Sequence, residues 1–174
     1  MADAIGLVAS IVQIVSTGVQ ASVYLYSFAE TVSSAGKAVK EISSDIALTT
    51  SVLEQLKTIL ESEKEHETAS KEAFSAAEAL IQECSNIFEA VVTLIQKHFP
   101  DLGPGHRTRS KLNFLKWPII QPKIELMRSN LEKHKTKLIL MTQVLTLAKM
   151  AVSQFVSVSS FLRVQLRNIQ TTRN

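Results

Sequence analysis

Between Asp3 and Glu30 the chain carries no charged side chain, and this run limits the fold more than any other feature. Ile5, Leu7, Val8, Ile11, Val12, Ile14, Val15, Val19, Val23, Leu25 and Phe28 fill it. Its polar residues are all neutral. Ser10, Gln13, Thr17, Gln20, Tyr24 and Ser27 recur at alternating intervals of three and four, which is one narrow stripe along a helix. Around that stripe the helix is apolar or small. Such a pattern belongs either to the buried centre of a bundle or to a membrane segment. As helix the run from Ala4 to Ala29 spans about 39 Å, against roughly 30 Å for a bilayer core. It is long enough to cross a membrane, but its Ser, Thr and Gln make it a marginal span. The sequence leaves both readings open.

Three further segments keep a helical rhythm. From about Gly36 to Glu65, Val39, Ile42, Ile46, Thr49, Leu53, Leu56 and Leu60 form a bundle seam with one polar lapse at Thr49. Glu61, Glu63, Glu65 and Glu67 then read as a solvated helix end. From about Ser70 to His98 the apolar positions are Phe74, Ala77, Leu80, Ile81, Cys84, Ile87, Phe88, Val91, Leu94 and Ile95. Cys84 lies on that face and reads as a small buried hydrophobe. After Pro118, the positions Ile124, Met127, Leu131, His134, Leu138, Met141, Leu145, Ala148, Val152 and Phe155 continue the pattern. Pro118 and Pro122 suit the first turn of that helix. No Gly or Pro follows Pro122, yet one helix of that length would stand out from a compact bundle. The Val- and Ser-rich stretch from Val152 to Phe161 is therefore predicted to bend or break, before a short helix carrying Leu162, Leu166 and Ile169.

The one strong interruption is Pro100, Gly103, Pro104 and Gly105, followed by His106, Arg107, Arg109 and Lys111. It reads as a basic loop, since neither side alone has a full core. Trp117, the only tryptophan, is predicted to anchor this loop with its ring buried and its indole N–H hydrogen-bonded. The fold predicted is all-α: one domain over residues 1–174, a helical bundle of four main helices with a C-terminal helical extension. Its parts are an apolar helix at 1–29, a basic loop at 99–117 and a long helical part at 118–174. The first helix is expected to be largely covered by the other three.

Charge divides the chain. Residues 1–96 hold 5 basic and 13 acidic side chains, and residues 97–174 hold 14 basic and 3 acidic. No acid follows Glu132. The second half suits an anionic partner, or the two halves pack together and pair with each other. One cysteine excludes a disulfide framework and fits a reducing cytosol. No Lys or Arg precedes the apolar run, which argues against a secretory signal.

Catalytic chemistry has little support. The five glycines form no phosphate-binding loop, and no G-x-S-x-G elbow occurs. His66, His98, His106 and His134 lack partners at metal-ligand spacing, and His134 reads as a packed, hydrogen-bonded core residue. The basic residues lack interleaved aromatics, so nucleic acid is not an expected partner. No cofactor, metal or small-molecule substrate is expected.

Three features together resemble a known family. They are Met1-Ala2-Asp3 leading into the apolar helix, the Glu-, Leu- and Lys-rich helices that follow, and Phe114-Leu115-Lys116-Trp117-Pro118 before a helix with Leu131-Glu132-Lys133-His134-Lys135. From Met1 to about Leu147 the chain resembles the HeLo-like N-terminal domains of fungal NLR-type (STAND) receptors and incompatibility proteins. Ile119 and Ile120 depart from that pattern, where an aromatic and then Lys would follow the proline. The resemblance implies a cytosolic helical bundle, similar to those of necroptotic pseudokinases and plant coiled-coil immune receptors. It also implies a cell-death effector whose N-terminal helix engages the plasma membrane when the receptor oligomerises.

Two classes of function follow. In the first, the domain permeabilises membranes. Ile5, Leu7, Val8, Ile11, Val12, Ile14, Val15 and Val19 form its insertion face, and Arg107, Arg109, Lys111 and Lys116 meet anionic headgroups. Its partners are anionic lipids and either further copies or an NLR-type receptor. In the second, the domain is a soluble adaptor or oligomerisation module whose first helix never leaves the core.

Overall fold

A computed structural model describes residues 2–31, 36–63, 71–99 and 113–171. Every one of these except Phe99 is helical. The elements are α1 (Ala2–Thr31), α2 (Gly36–Glu63), α3 (Lys71–His98) and α4 (Asn113–Thr171). Asp3 therefore lies inside the first turn of α1.

The helices stand at the corners of a square. α1 packs on α2 and α3, and α4 packs on the same two helices from the opposite corner. α1 and α2 are antiparallel: Ser22 meets Ser43, and Glu30 meets Lys40. α1 and α3 are parallel, since Gly18 faces Phe88 and Phe28 faces Phe99. α2 and α4 are parallel as well, with Glu41 and Asp45 beside Arg128, and Asp45 also beside Lys135. The N-terminus of α1 and the C-terminus of α2 thus share one end of the bundle, and α4 runs out past that end.

The core is the set of seams laid down by the 3-4 rhythm. All seven seam positions of α2, Val39 to Leu60, are buried, Thr49 among them. Thr49 is tolerated there because its hydroxyl donates to the Asp45 carbonyl at 2.7 Å. α3 buries Ala77, Ile81, Cys84, Phe88, Val91 and Ile95, and α4 buries Ile120, Ile124, Leu131, Leu138 and Leu145. At the far end, Phe28 and Phe99 pack edge to face with centroids 5.1 Å apart. Such a pair adds about 0.5–1.5 kcal/mol beyond its area burial.

Two expectations are corrected by α4. The helix begins at Asn113, so residues 113–117 are not loop, and Pro118 and Pro122 lie inside it. Each proline removes one helical N–H donor. Both are exposed, on the side where water can satisfy the freed carbonyls. The helix also does not break between Val152 and Phe161. Nothing there lacks an N–H, and Ser159 and Ser160 donate back to the carbonyls of Val156 and Ser157 at 2.9 and 2.8 Å. The C-terminal extension is therefore one continuous helix, 59 residues or about 88 Å long, against 28 residues in α2 and α3.

Candidate functional site

α1 has two apolar faces and the bundle uses one. Leu7, Ile11, Ile14, Ala21, Leu25 and Phe28 are buried. Ile5, Val12, Val19, Val23 and Tyr26 are exposed, Val12 at 48%. Val8 and Val15 lie between the two faces and are half-buried. The eight residues expected to form an insertion face are thus split around the helix, and α1 is less covered than its composition implied. In a square bundle each helix is covered by two neighbours, which leaves its outer side open.

The neutral polar stripe flanks the buried face. Thr17, Gln20 and Tyr24 line a groove of about 370 Å³ with Glu89, Thr93 and Gln96 of α3. Ser10 and Thr17 donate to the carbonyls one turn earlier, so their hydroxyls are satisfied within the helix. Gln13 and Gln20 are exposed.

Local contacts hold α1 in place. Ser22 Oγ donates to the Ser43 carbonyl at 3.2 Å, and Ser43 Oγ donates to the Ser22 carbonyl at 2.9 Å. This reciprocal pair ties the backbones of α1 and α2. Gly18 sits where three helices meet. A Cβ there would stand 2.9 Å from Phe88 Cε2 and would collide with Thr50 Oγ1. Lys40 of α2 pairs with Glu30 at 3.0 Å and lies 5.1 Å from the centre of the Tyr26 ring, at the edge of the exposed stripe.

The two charge halves do pair, between α2 and α4. Arg128 bonds Glu41 and, at 2.6 Å, Asp45; Lys135 lies 3.6 Å from Asp45 and also pairs with Glu132. Burial would raise the Asp45 carboxyl. The hydrogen bond from Arg128, with the added charge of Lys135, outweighs it and holds Asp45 below the usual carboxylate range. The signal for this cluster was the opposite charge of the two halves, which gave no register.

α4 leaves the bundle after Leu145. Beyond it Leu147, Met150, Phe155, Val156, Val158, Phe161 and Leu162 are exposed, Phe155 at 76%. Among the described residues, two stretches are long and apolar enough to cross a membrane by length and composition alone, Ile5–Glu30 and one within Trp117–Arg163. The second was missed in the sequence. Its signal is the run Leu138–Leu162, where Lys149 is the only charge.

Trp117 is buried in the first turns of α4 and belongs to the core. No hydrogen bond of its indole N–H is found among the described residues. Lys116 lies in the first turn of α4, with its side chain outside the described residues. Arg107, Arg109 and Lys111 lie wholly outside them. Burial, with the nearby Glu83 charge, pushes the Cys84 thiol up to about 12, so it stays protonated and unreactive at neutral pH. His134 is half-buried, and its Nδ1 has no hydrogen-bond partner among the described residues, against the expectation of a satisfied histidine. Among the described residues no three of His, Cys, Asp or Glu gather in a way that could hold a metal ion.

Fold and surface together define a four-helix bundle that leaves two apolar helix faces open to solvent, one of them on an N-terminal helix with no charge between Asp3 and Glu30. The chain belongs to the family described as the pigment biosynthesis cluster protein PigL N-terminal domain, a fungal helical domain whose model matches residues 2–163. No curated protein and no solved structure matches the chain.

Proposed function

We propose that this domain is a membrane-permeabilising cell-death effector of the HeLo-like kind, from a fungal immune or incompatibility system, activated by oligomerisation. One observation carries the reading: α1 is free of charge from Ala4 to Ala29 and is apolar on its solvent side as well as its core side. A helix that served only the bundle would carry charge on its outer face. In the resting state the domain is cytoplasmic, with Leu7, Ile11 and Ile14 in the core. On activation α1 leaves α2 and α3, and all eight residues from Ile5 to Val19 named above meet the acyl chains of the plasma membrane. The basic residues Arg107, Arg109, Lys111 and Lys116 bind anionic headgroups first. Assembly is driven by further copies or by an NLR-type receptor. No catalytic step, cofactor, small-molecule substrate or nucleic acid enters this account.

The test is dye leakage from anionic vesicles. Gln13→Leu with Gln20→Leu removes two exposed amides that a bilayer penalises and that the bundle does not bury. The pair keeps or increases leakage on this reading. A native domain that releases no dye, both as a monomer and when deliberately oligomerised, would end the proposal.

The second reading is a soluble adaptor or oligomerisation module. The reciprocal Ser22–Ser43 bonds and the close fit at Gly18 favour it, because both resist release of α1. On that reading neither the native chain nor the glutamine pair causes leakage at any lipid composition.

A further inference from the structure

The second open face is the stretch of α4 that overhangs the bundle, and we propose that it is an anchor for an anionic lipid surface. From Leu138 to Leu162 the only charge is Lys149. Leu140 and Val144, on the outer side of α4 just before it leaves the bundle, and Leu147, Phe155, Val158 and Leu162 beyond it are all exposed. Their spacing of three, four or eight puts them on one side of the helix, with Ala151 between them. The bundle-facing seam of α4, through Leu131, Leu138 and Leu145, lies on another side. An apolar stripe of this length is a site of interaction with a protein or a membrane.

The flanking charges decide between the two. Lys133 and Lys137 are exposed before the stripe, and Arg163 is exposed after it. No acid follows Glu132. A second copy laid along the overhang would bring cations against cations, with no acid beyond Glu132 to offset them. An anionic bilayer accepts the apolar stripe between two cationic ends, which is the composition of an interfacial helix. The overhang also leaves the bundle at the end where α1 begins. Glu54 and Glu61 are exposed in the last turns of α2 at that same end, Glu61 paired with Lys57 at 3.9 Å, so among the described residues the bundle beside the overhang offers no cationic patch there. The overhang reaches a surface at that end without any movement of α1, which stays packed. The inference takes its partner, a bilayer, from the membrane reading above, but it requires binding only and not permeabilisation.

The test is co-sedimentation of the full chain with phosphatidylcholine vesicles, with and without phosphatidylserine. Phe155→Glu combined with Val158→Glu changes two exposed residues, so the thermal melt of the soluble protein should stay unchanged. The native chain should bind the phosphatidylserine vesicles and release them at high salt. The double variant should bind them at least about tenfold more weakly, a loss of about 1.4 kcal/mol. Val12→Asp, on α1, should still bind. Equal binding by the double variant and the native chain overturns the anchor. So does a native chain that binds no vesicles, whether monomeric or as a dimer that the double variant dissociates; the dimer would assign the face to a second copy. Lost binding in the double variant beside a native chain that binds but never leaks dye would keep the anchor and remove the permeabilising function. Leakage that persists in a double variant that still binds would do the reverse.

Discussion

Gly18 shows how little room α1 has on its packed side. A methyl group there meets Thr50 and Phe88 on two different helices, and neither neighbour can move without opening a seam. Gly18→Ala should destabilise the domain by about 1–3 kcal/mol, as over-packing does elsewhere, read from the urea midpoint. Gly18 was not singled out in the sequence, because its constraint comes from two helices it meets only after folding. Trp117 was singled out. Its buried ring predicts blue-shifted fluorescence in the soluble protein, and water-like emission would contradict the packing described. Asp45 gives a pH dependence. Its folded pKa lies below the unfolded value of about 3.9. Its contribution is therefore complete above about pH 4 and is lost as pH falls through the lower folded value. Urea midpoints followed downward from pH 6 should fall in that acid range, and Asp45→Asn should flatten the fall while lowering the midpoint at neutral pH.

At the scale of the element, the two sides of α1 should respond differently to the same change. Ile11→Ala removes buried volume and should cost about 2–5 kcal/mol, whereas Val12→Ala should stay within about 0.5 kcal/mol. The same contrast makes Val12→Asp informative. Val12 is exposed, so the fold should survive, while a centred Asp opposes insertion by about 2.5–3.5 kcal/mol. Leakage lost with an unchanged melt would place the effect on the membrane step. The periodic seams of α2 and α3 were legible because each has one apolar stripe and a polar remainder. α1 was not, because a helix apolar on both sides does not say which side is packed. The end of α4 was not legible either. Weak propensity over 152–161 argued for a break, but without Gly or Pro the helical hydrogen bonds simply continue. Amide exchange should show this division, with protection high from Ile120 to Leu145 and low beyond it.

Across the whole molecule, the charge asymmetry resolves into two parts. Arg128 and Lys135 meet the acids of α2 inside the bundle, while the overhang carries cations alone beyond Glu132. The fold class and the four segments could be read from periodicity. The pairing across α2 and α4 could not, because net charge fixes neither register nor neighbour. The arrangement leaves α1 held by one face and exposed on the other. The central claim is that α1 must leave the bundle to act. Ser22 and Ser43, whose hydroxyls already bond each other's backbone, are the place to lock it. A Ser22→Cys, Ser43→Cys variant, with the native Cys84 shielded in the core, should release no dye from anionic vesicles when oxidised and should regain native leakage when reduced. Equal leakage in both redox states would contradict the account, because α1 would then have acted without leaving α2.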